Sequence, residues 1–120
     1  MNILSIDASS SECIFTILDK KTKEVLLTKS YLNRRDLLNI ITSIILDLDQ
    51  DFSLSGIVVY SGTGSFTGNR IAVSASNTFG WVKKVPVVST GGDDWLELGL
   101  KSLDRYSDKN YFGANVIYPD

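Results

Sequence analysis

The stretch GTGSFTGNRIAVSASNTFGW, residues 62–81, decides how this chain is read. It follows LSGIVVYSG (54–62), a continuous apolar run with flanking glycines, the pattern of a strand buried on both faces. A glycine-rich turn between a strand and a helix can cradle a phosphate at the helix N-terminus. The Walker pattern needs four residues between its glycines and a lysine after the second one. Here five residues separate Gly62 from Gly68, and Asn69-Arg70 follow. The dinucleotide fingerprint G-x-G-x-x-G fits Gly62-Thr63-Gly64, but its third glycine comes one residue late. That fingerprint also opens the first strand–helix–strand unit of its fold, whereas three strands and a helix precede this one.

Read onward, the turn delivers a helix over 67–82. Ser65 and Thr67 are N-cap candidates. Ile71, Ala75, Phe79 and Val82 share one side, the expected core face. Beside it Gly68, Ala72, Ser76 and Gly80 recur every four residues. Such a row lets a second helix approach closely. That neighbour is either the 36–49 helix of the same chain or a partner's helix. Trp81 falls near the polar side, where partial exposure hints at contact.

Working outward, NILSID (2–7), ECIFTILD (12–19) and EVLLTKSY (24–31) read as strands joined by short polar turns, an antiparallel meander. A helix follows near 36–49, with Asn33 or Asp36 as cap. Its apolar residues Leu37, Leu38, Ile40, Ile41, Ile44, Ile45 and Leu48 cover an arc of roughly 160°, where a core stripe needs only about 100°. Leu46 lies outside even that arc. The helix therefore sits deep in a groove or packs with one edge on the sheet and the other on a partner. VPVVST (85–90) is a further strand, and WLELGLKSL (95–103) a short amphipathic helix. The tail from Arg105 is polar and ends in VIYP, a candidate edge strand. The order β-β-β-α-β-α-β-α predicts an α/β fold, a mixed five-stranded sheet with helices on its faces.

The second motif is IDASS, residues 6–10. Asp7 ends a strand and is followed by Ser9 and Ser10, a turn that can hold metal and phosphate. Equally, it can be a hairpin in which Asp7 and the serines satisfy local backbone groups.

Bulk properties narrow the function. The chain of 120 residues carries a net charge of −2 and no histidine. Its length suits one domain. Arg34-Arg35 and Lys83-Lys84 are pairs, not the clustered stripe that nucleic-acid binding needs. The absence of histidine excludes a His-ligated metal and a His-based triad. Cys13 is the only cysteine, so no internal disulfide forms, which suits a reducing compartment. It reads as a small buried hydrophobe. A two-metal nuclease of the ribonuclease H kind needs several converging carboxylates. Asp7 supplies one, and the strand GIVVYSG supplies none at its end. No signal peptide or membrane span is evident, and a cytoplasmic protein is expected.

Taken together, ILSIDASS, the helix near 34–49, and SGTGSFTGNRIAVSASNTFGW followed by VPVVST closely resemble the TsaB (YeaZ) family. Its usual pattern is I-D-T-S, then G-x-G-P-G-S-F-T-G-L-R-I-G, then I-P-V-V. The shared core G-S-F-T-G-x-R-I occupies Gly64 to Ile71, within a glycine turn of Gly62, Gly64, Ser65, Phe66, Thr67, Gly68 and Arg70. The match runs through about residues 1–90. Thr63 stands where the family has proline, Asn69 where leucine is common, and the histidine frequent at the start of the first helix is missing. The family also has a second lobe of about equal size, so the expectation is a minimal one-lobe chain over residues 1–120.

The resemblance implies an actin-like, ribonuclease H-like N-lobe and a non-catalytic scaffold. Its partner is a TsaD-like catalytic subunit that threonylcarbamoylates adenosine 37 of tRNA, with a TsaE-like ATPase in the same complex. tRNA is met only through that complex. No metal or cofactor is implied for this chain, and Asp7, Ser9 and Ser10 become a vestigial phosphate turn. In such families two N-lobes pack helix on helix, which assigns Leu38, Ile41, Ile45, Ala72, Val73, Ser76 and Asn77 to the interface. Ala72→Arg is then expected to abolish the complex and leave the monomer folded. The alternatives are a homodimeric module using the same helices, and a weak nucleotide binder using the Gly62–Gly68 turn.

Overall fold

A computed structural model describes residues 1–32 and 36–105 and the backbone of 116–117. Three strands open the chain: β1 (Asn2–Asp7), β2 (Glu12–Asp19) and β3 (Val25–Leu32). Then come α1 (Leu37–Phe52), β4 (Leu54–Tyr60), α2 (Phe66–Lys83), β5 (Val87–Thr90) and α3 (Trp95–Arg105). A two-residue strand, β6 (Val116–Ile117), follows. The sheet order is β3-β2-β1-β4-β5-β6. β1–β2 and β2–β3 are antiparallel, and β1–β4, β4–β5 and β5–β6 are parallel. The expected five strands form the mixed sheet, and Val116–Ile117 adds a sixth at its edge.

Short polar turns set the meander. The β2–β3 turn is held by Asp19, whose Oδ1 accepts from the backbone N–H of Lys21 and Thr22, both at 2.9 Å. Those donors, Thr22 first, hold the Asp19 carboxyl below its ordinary range. β1 and β4 sit centrally and are nearly all buried. β3 is an edge, and its residues are mostly exposed.

Two apolar layers result. On one face Leu4, Ile6, Phe15, Ile17, Ile57 and Val59 pack against Ile41, Ile45, Ala72 and Phe79 of α1 and α2. On the other, Ile3, Leu18, Val58 and Val88 meet Leu100 and Leu103 of α3. α3 is fastened at its start, where Thr90 Oγ1 donates to Trp95 O at 2.8 Å and the Tyr60 and Trp95 rings meet edge-on at 5.5 Å.

The caps differ in part from expectation. Asp36 does precede α1, but its backbone is left-handed (φ 61°) and its side chain makes no capping hydrogen bond. A capping side chain needs an extended backbone to reach the N2 or N3 N–H. Asn33, the other candidate, lies outside the described residues. At the far end of α1, Asp49 Oδ1 accepts from Leu54 N at 2.9 Å, and its other oxygen pairs with Lys83 at 3.7 Å. One carboxylate so links the end of α1 to β4 and to the last turn of α2.

Candidate docking groove and glycine turn

The glycine turn begins where β4 ends. Ser65 is the N-cap of α2: its backbone is extended and its Oγ accepts from Gly68 N at 3.0 Å. Thr67, the other cap candidate, lies within the first helical turn. Tyr60 Oη donates to Thr63 O at 2.9 Å, and Asn69 Nδ2 to Gly62 O at 2.9 Å, which closes the turn from both sides.

What the glycines hold is the chain itself. Ser65 N donates to Ser9 O at 2.7 Å. Gly64 has φ +124°, and a Cβ there would stand 2.6 Å from Ser9 O. A Cβ on Gly68 would stand 2.2 Å from Ala8 O. Real side chains do not approach a carbonyl oxygen so closely, so glycine is required at both positions. The backbone of the β1–β2 turn therefore occupies the hollow where a phosphate loop would hold its ligand.

The β1–β2 turn is likewise turned inward. Asp7 Oδ1 accepts from Ser9 N at 2.9 Å and from Ser9 Oγ at 2.6 Å. Ser10 Oγ donates to Glu12 O at 3.2 Å. This is the local-satisfaction geometry of a serine-rich hairpin. Among the described residues no group of three or more His, Cys, Asp or Glu side chains is placed to hold a metal ion. Cys13 is buried, and burial, aided by the Asp7 charge, pushes its thiol up to about 12. Such a thiol is not a nucleophile near neutral pH.

α1 and α2 lie against each other on one face of the sheet. Gly68, Ala72, Ser76 and Gly80 are all buried. Ala72 joins Ile41 and Ile45 in the core, which answers the choice of neighbour there in favour of the same chain. Gly68 has a different close neighbour, the backbone carbonyl of Ala8.

This burial corrects the interface assignment. Ile41, Ile45, Ala72 and Ser76 are 0%, 1%, 0% and 0% exposed, so they are core residues with almost no surface to offer a partner. The reason is register: both helices turn the centre of their apolar or small stripe onto the sheet and onto each other. Ala72→Arg would therefore place a charge in the core and unfold the chain, not leave a folded monomer. Leu38 is exposed, and Val73 and Asn77 are half-buried.

What remains open is the flank. A groove of about 250 Å³ runs between the helices, lined by Ile45, Leu46, Ala75, Phe79, Val82 and the charged Lys83, among others. Leu46 is 50% exposed and Val82 67%. Val82 was expected in the core; it does lie on the stripe of Ala75 and Phe79, but at the last turn that stripe borders the groove. Leu38 and Trp81 add further exposed apolar surface on the same two helices. Leu46 and Val82 are the residues that the periodicity missed as candidates. The signal for Leu46 was present: an apolar residue outside an already wide apolar arc.

The strand order, the helix pair on one face, and the glycine turn seated on the first hairpin now permit comparison with known folds. This chain is similar to YeaZ from Pseudomonas aeruginosa. The two align with a TM-score of 0.60 at 21% identity, over 75% of this chain and 43% of that one. The chain thus spans less than half the length of YeaZ. RuvC of Thermus thermophilus, in complex with a Holliday junction substrate, aligns at TM-score 0.64 and 13% identity, over 88% of this chain and 77% of RuvC. A ROK family protein from Streptococcus pneumoniae, in complex with sucrose, aligns at 0.52 and 18%, over 89% of this chain and 39% of that one. No protein-family model matches the sequence, and no curated protein does. YeaZ and these neighbours share the actin-like, ribonuclease H-like architecture, which is the fold of this chain. No described helix is long and apolar enough to cross a membrane.

Proposed function

We propose that the chain is a TsaB-type scaffold, a non-catalytic subunit that docks on a TsaD-like enzyme and supports threonylcarbamoylation of adenosine 37 of tRNA. The observation that carries this is the groove between α1 and α2, which leaves Leu46 and Val82 half or more exposed. Exposed branched apolar side chains beside an apolar trough suit a helix pair of a partner better than they suit water. The YeaZ-like fold and the core motif from Gly64 to Ile71 favour this partner over others.

In this proposal the chain supplies a surface and no reacting group. A TsaE-like ATPase belongs to the same complex, and tRNA contacts this chain only through the assembly, in the cytoplasm. A homodimer through the same groove is the competing outcome.

Co-expression with the TsaD-like protein of the same genome tests the proposal. The expected result is co-purification of the two and a tRNA modification level that depends on this chain. Independent elution of both proteins would overturn it, as would a homodimer that persists when the enzyme is added.

A further inference from the structure

Strand β3 stands at one end of the sheet, paired with β2 on one side and with no strand of the described residues on the other. Hydrogen bonds at the hairpin fix which of its backbone groups face outward. Asp19 N donates to Glu24 O, toward β3, and Lys20 N donates to Met1 O, toward the start of β1. Alternation along β2 then points the backbone of Ile17, Phe15 and Cys13 at β3, and their register partners Leu27, Lys29 and Tyr31 point back. Thr28 and Ser30, between these, turn their N–H and C=O groups away from the sheet. An unpaired row of this kind along an eight-residue strand is a template for one strand more.

The side chains of β3 differ by face. Val25, Thr28, Ser30 and Leu32 lie in register with Leu18, Thr16, Ile14 and Glu12, on the face that carries α3. Val25 and Leu32 are both more than half exposed there. Lys29 belongs to the opposite face, between Leu27 and Tyr31, which pack on the core under α1 and α2. Lys29 is exposed, and among the described residues no ion pair holds it. Positive charge also gathers along this segment. KKTKEVLLTKSYL, residues 20–32, holds Lys20, Lys21, Lys23 and Lys29 against Glu24 alone, in a chain whose net charge is −2.

We propose that β3 takes up an extended segment of a partner protein whose side chains alternate between apolar and acidic. The segment's backbone pairs with Thr28 and Ser30. Its apolar side chains fall on the face of Val25 and Leu32 and its carboxylates on the face of Lys29, because successive residues of a strand point to opposite faces. A second copy of this chain fits poorly: in the central antiparallel registers each Lys29 would lie opposite or diagonal to the other. RNA would answer the lysines but not the row of backbone donors and acceptors. The strand also offers a base no open ring, since Tyr31 is half-buried with its ring edge-on to Phe15 at 5.8 Å. The edge shares no residue with the trough between α1 and α2, so this inference does not rest on the docking proposal.

Amide NMR titration of the whole chain tests this with a blocked octapeptide of alternating valine and glutamate. The expected result is saturable shifts along Val25–Leu32 and slowed amide exchange at Thr28 and Ser30, with a Kd of about 1 mM or tighter. The same peptide methylated on its valine nitrogens, the ones that would face β3, should not bind. Thr28→Pro should block binding from the other side; an outward N–H makes no bond to β2, so proline is tolerated there. Lys29→Glu should weaken binding about tenfold. An octauridylate, a polyanion without a peptide backbone, should bind at least about tenfold more weakly than the peptide. Should Thr28→Pro fail to fold, the methylated peptide still decides whether backbone pairing is used. The proposal is overturned if the peptide does not saturate or its shifts map elsewhere, since Lys29 would then serve only to keep the edge from aggregating. It is also overturned if the methylated peptide binds as well, if a folded Thr28→Pro or Lys29→Glu keeps the parent's affinity, or if the octauridylate binds as tightly.

Discussion

Two concave regions, the glycine turn and the trough between the helices, have opposite fates. The turn looks like a ligand cradle in one dimension, and the backbone of Ala8 and Ser9 fills it. The trough between α1 and α2 has no motif, yet Leu46 and Val82 stand open beside it. Small residues mark where the chain packs against itself. Exposed branched residues mark where it can pack against something else.

The sharpest way to break this contrast is to put the same charge on both sides of it. Ala72→Arg should leave no cooperative unfolding transition, because the position is 0% exposed. Leu46→Arg, one helix away, should change the unfolding free energy by no more than about 0.5 kcal/mol. Circular dichroism melts of the two variants would show it; a folded Ala72→Arg would mean that α1 and α2 do not close over it.

Gly68→Ala comes next. Its methyl group would stand 2.2 Å from a backbone carbonyl, so the hairpin or the helix start must move. A loss of about 3 kcal/mol in urea titration is expected. A loss under about 1 kcal/mol would mean that the turn does not clasp the first hairpin.

Cys13 reports on the same sealed side. Its thiol is raised from an ordinary 9.0 to about 12, by burial first and Asp7 second. The unfolded chain therefore loses this proton at a lower pH than the folded one does. Stability from this group is complete below pH 9.0 and declines as pH rises from there toward about 12. Cys13→Ala should flatten that decline, and thiol reagents should label Cys13 at pH 8 only as fast as the chain opens. Rapid labelling of the folded protein would contradict this.

The smallest effect is Ser76→Ala. Ser76 Oγ is buried without a partner, so removing it should be neutral or stabilise the chain by up to about 1 kcal/mol. A clear loss in urea titration would reveal a hydrogen bond made by this hydroxyl in solution.

Much of the fold was legible because its signals are local. The meander, the buried strand and the final helix follow from period, β-branching and turn residues, and ECIFTILD begins and ends where β2 does. The site was legible only in outline. A wide apolar arc shows that α1 has two neighbours, but periodicity does not say which flank each one covers. Ile41 and Ile45 belong to the sheet side and Leu46 to the open side, a difference fixed by the rotation of the helix in the assembled fold. Asn69 was noticed only as a departure from a family pattern, because its hydrogen bond to Gly62 O exists only once the turn is folded. Phosphate-loop patterns likewise could not show that a hairpin far earlier in the chain would fill the turn.

The central claim is that the trough, not the turn, meets the partner. The most direct measurement is the affinity of the TsaD-like protein for the parent chain and for a Leu46→Arg, Val82→Arg double variant, after both are shown to be folded. The account predicts that the double variant binds about 100-fold more weakly or worse. Equal affinity for the two would contradict it.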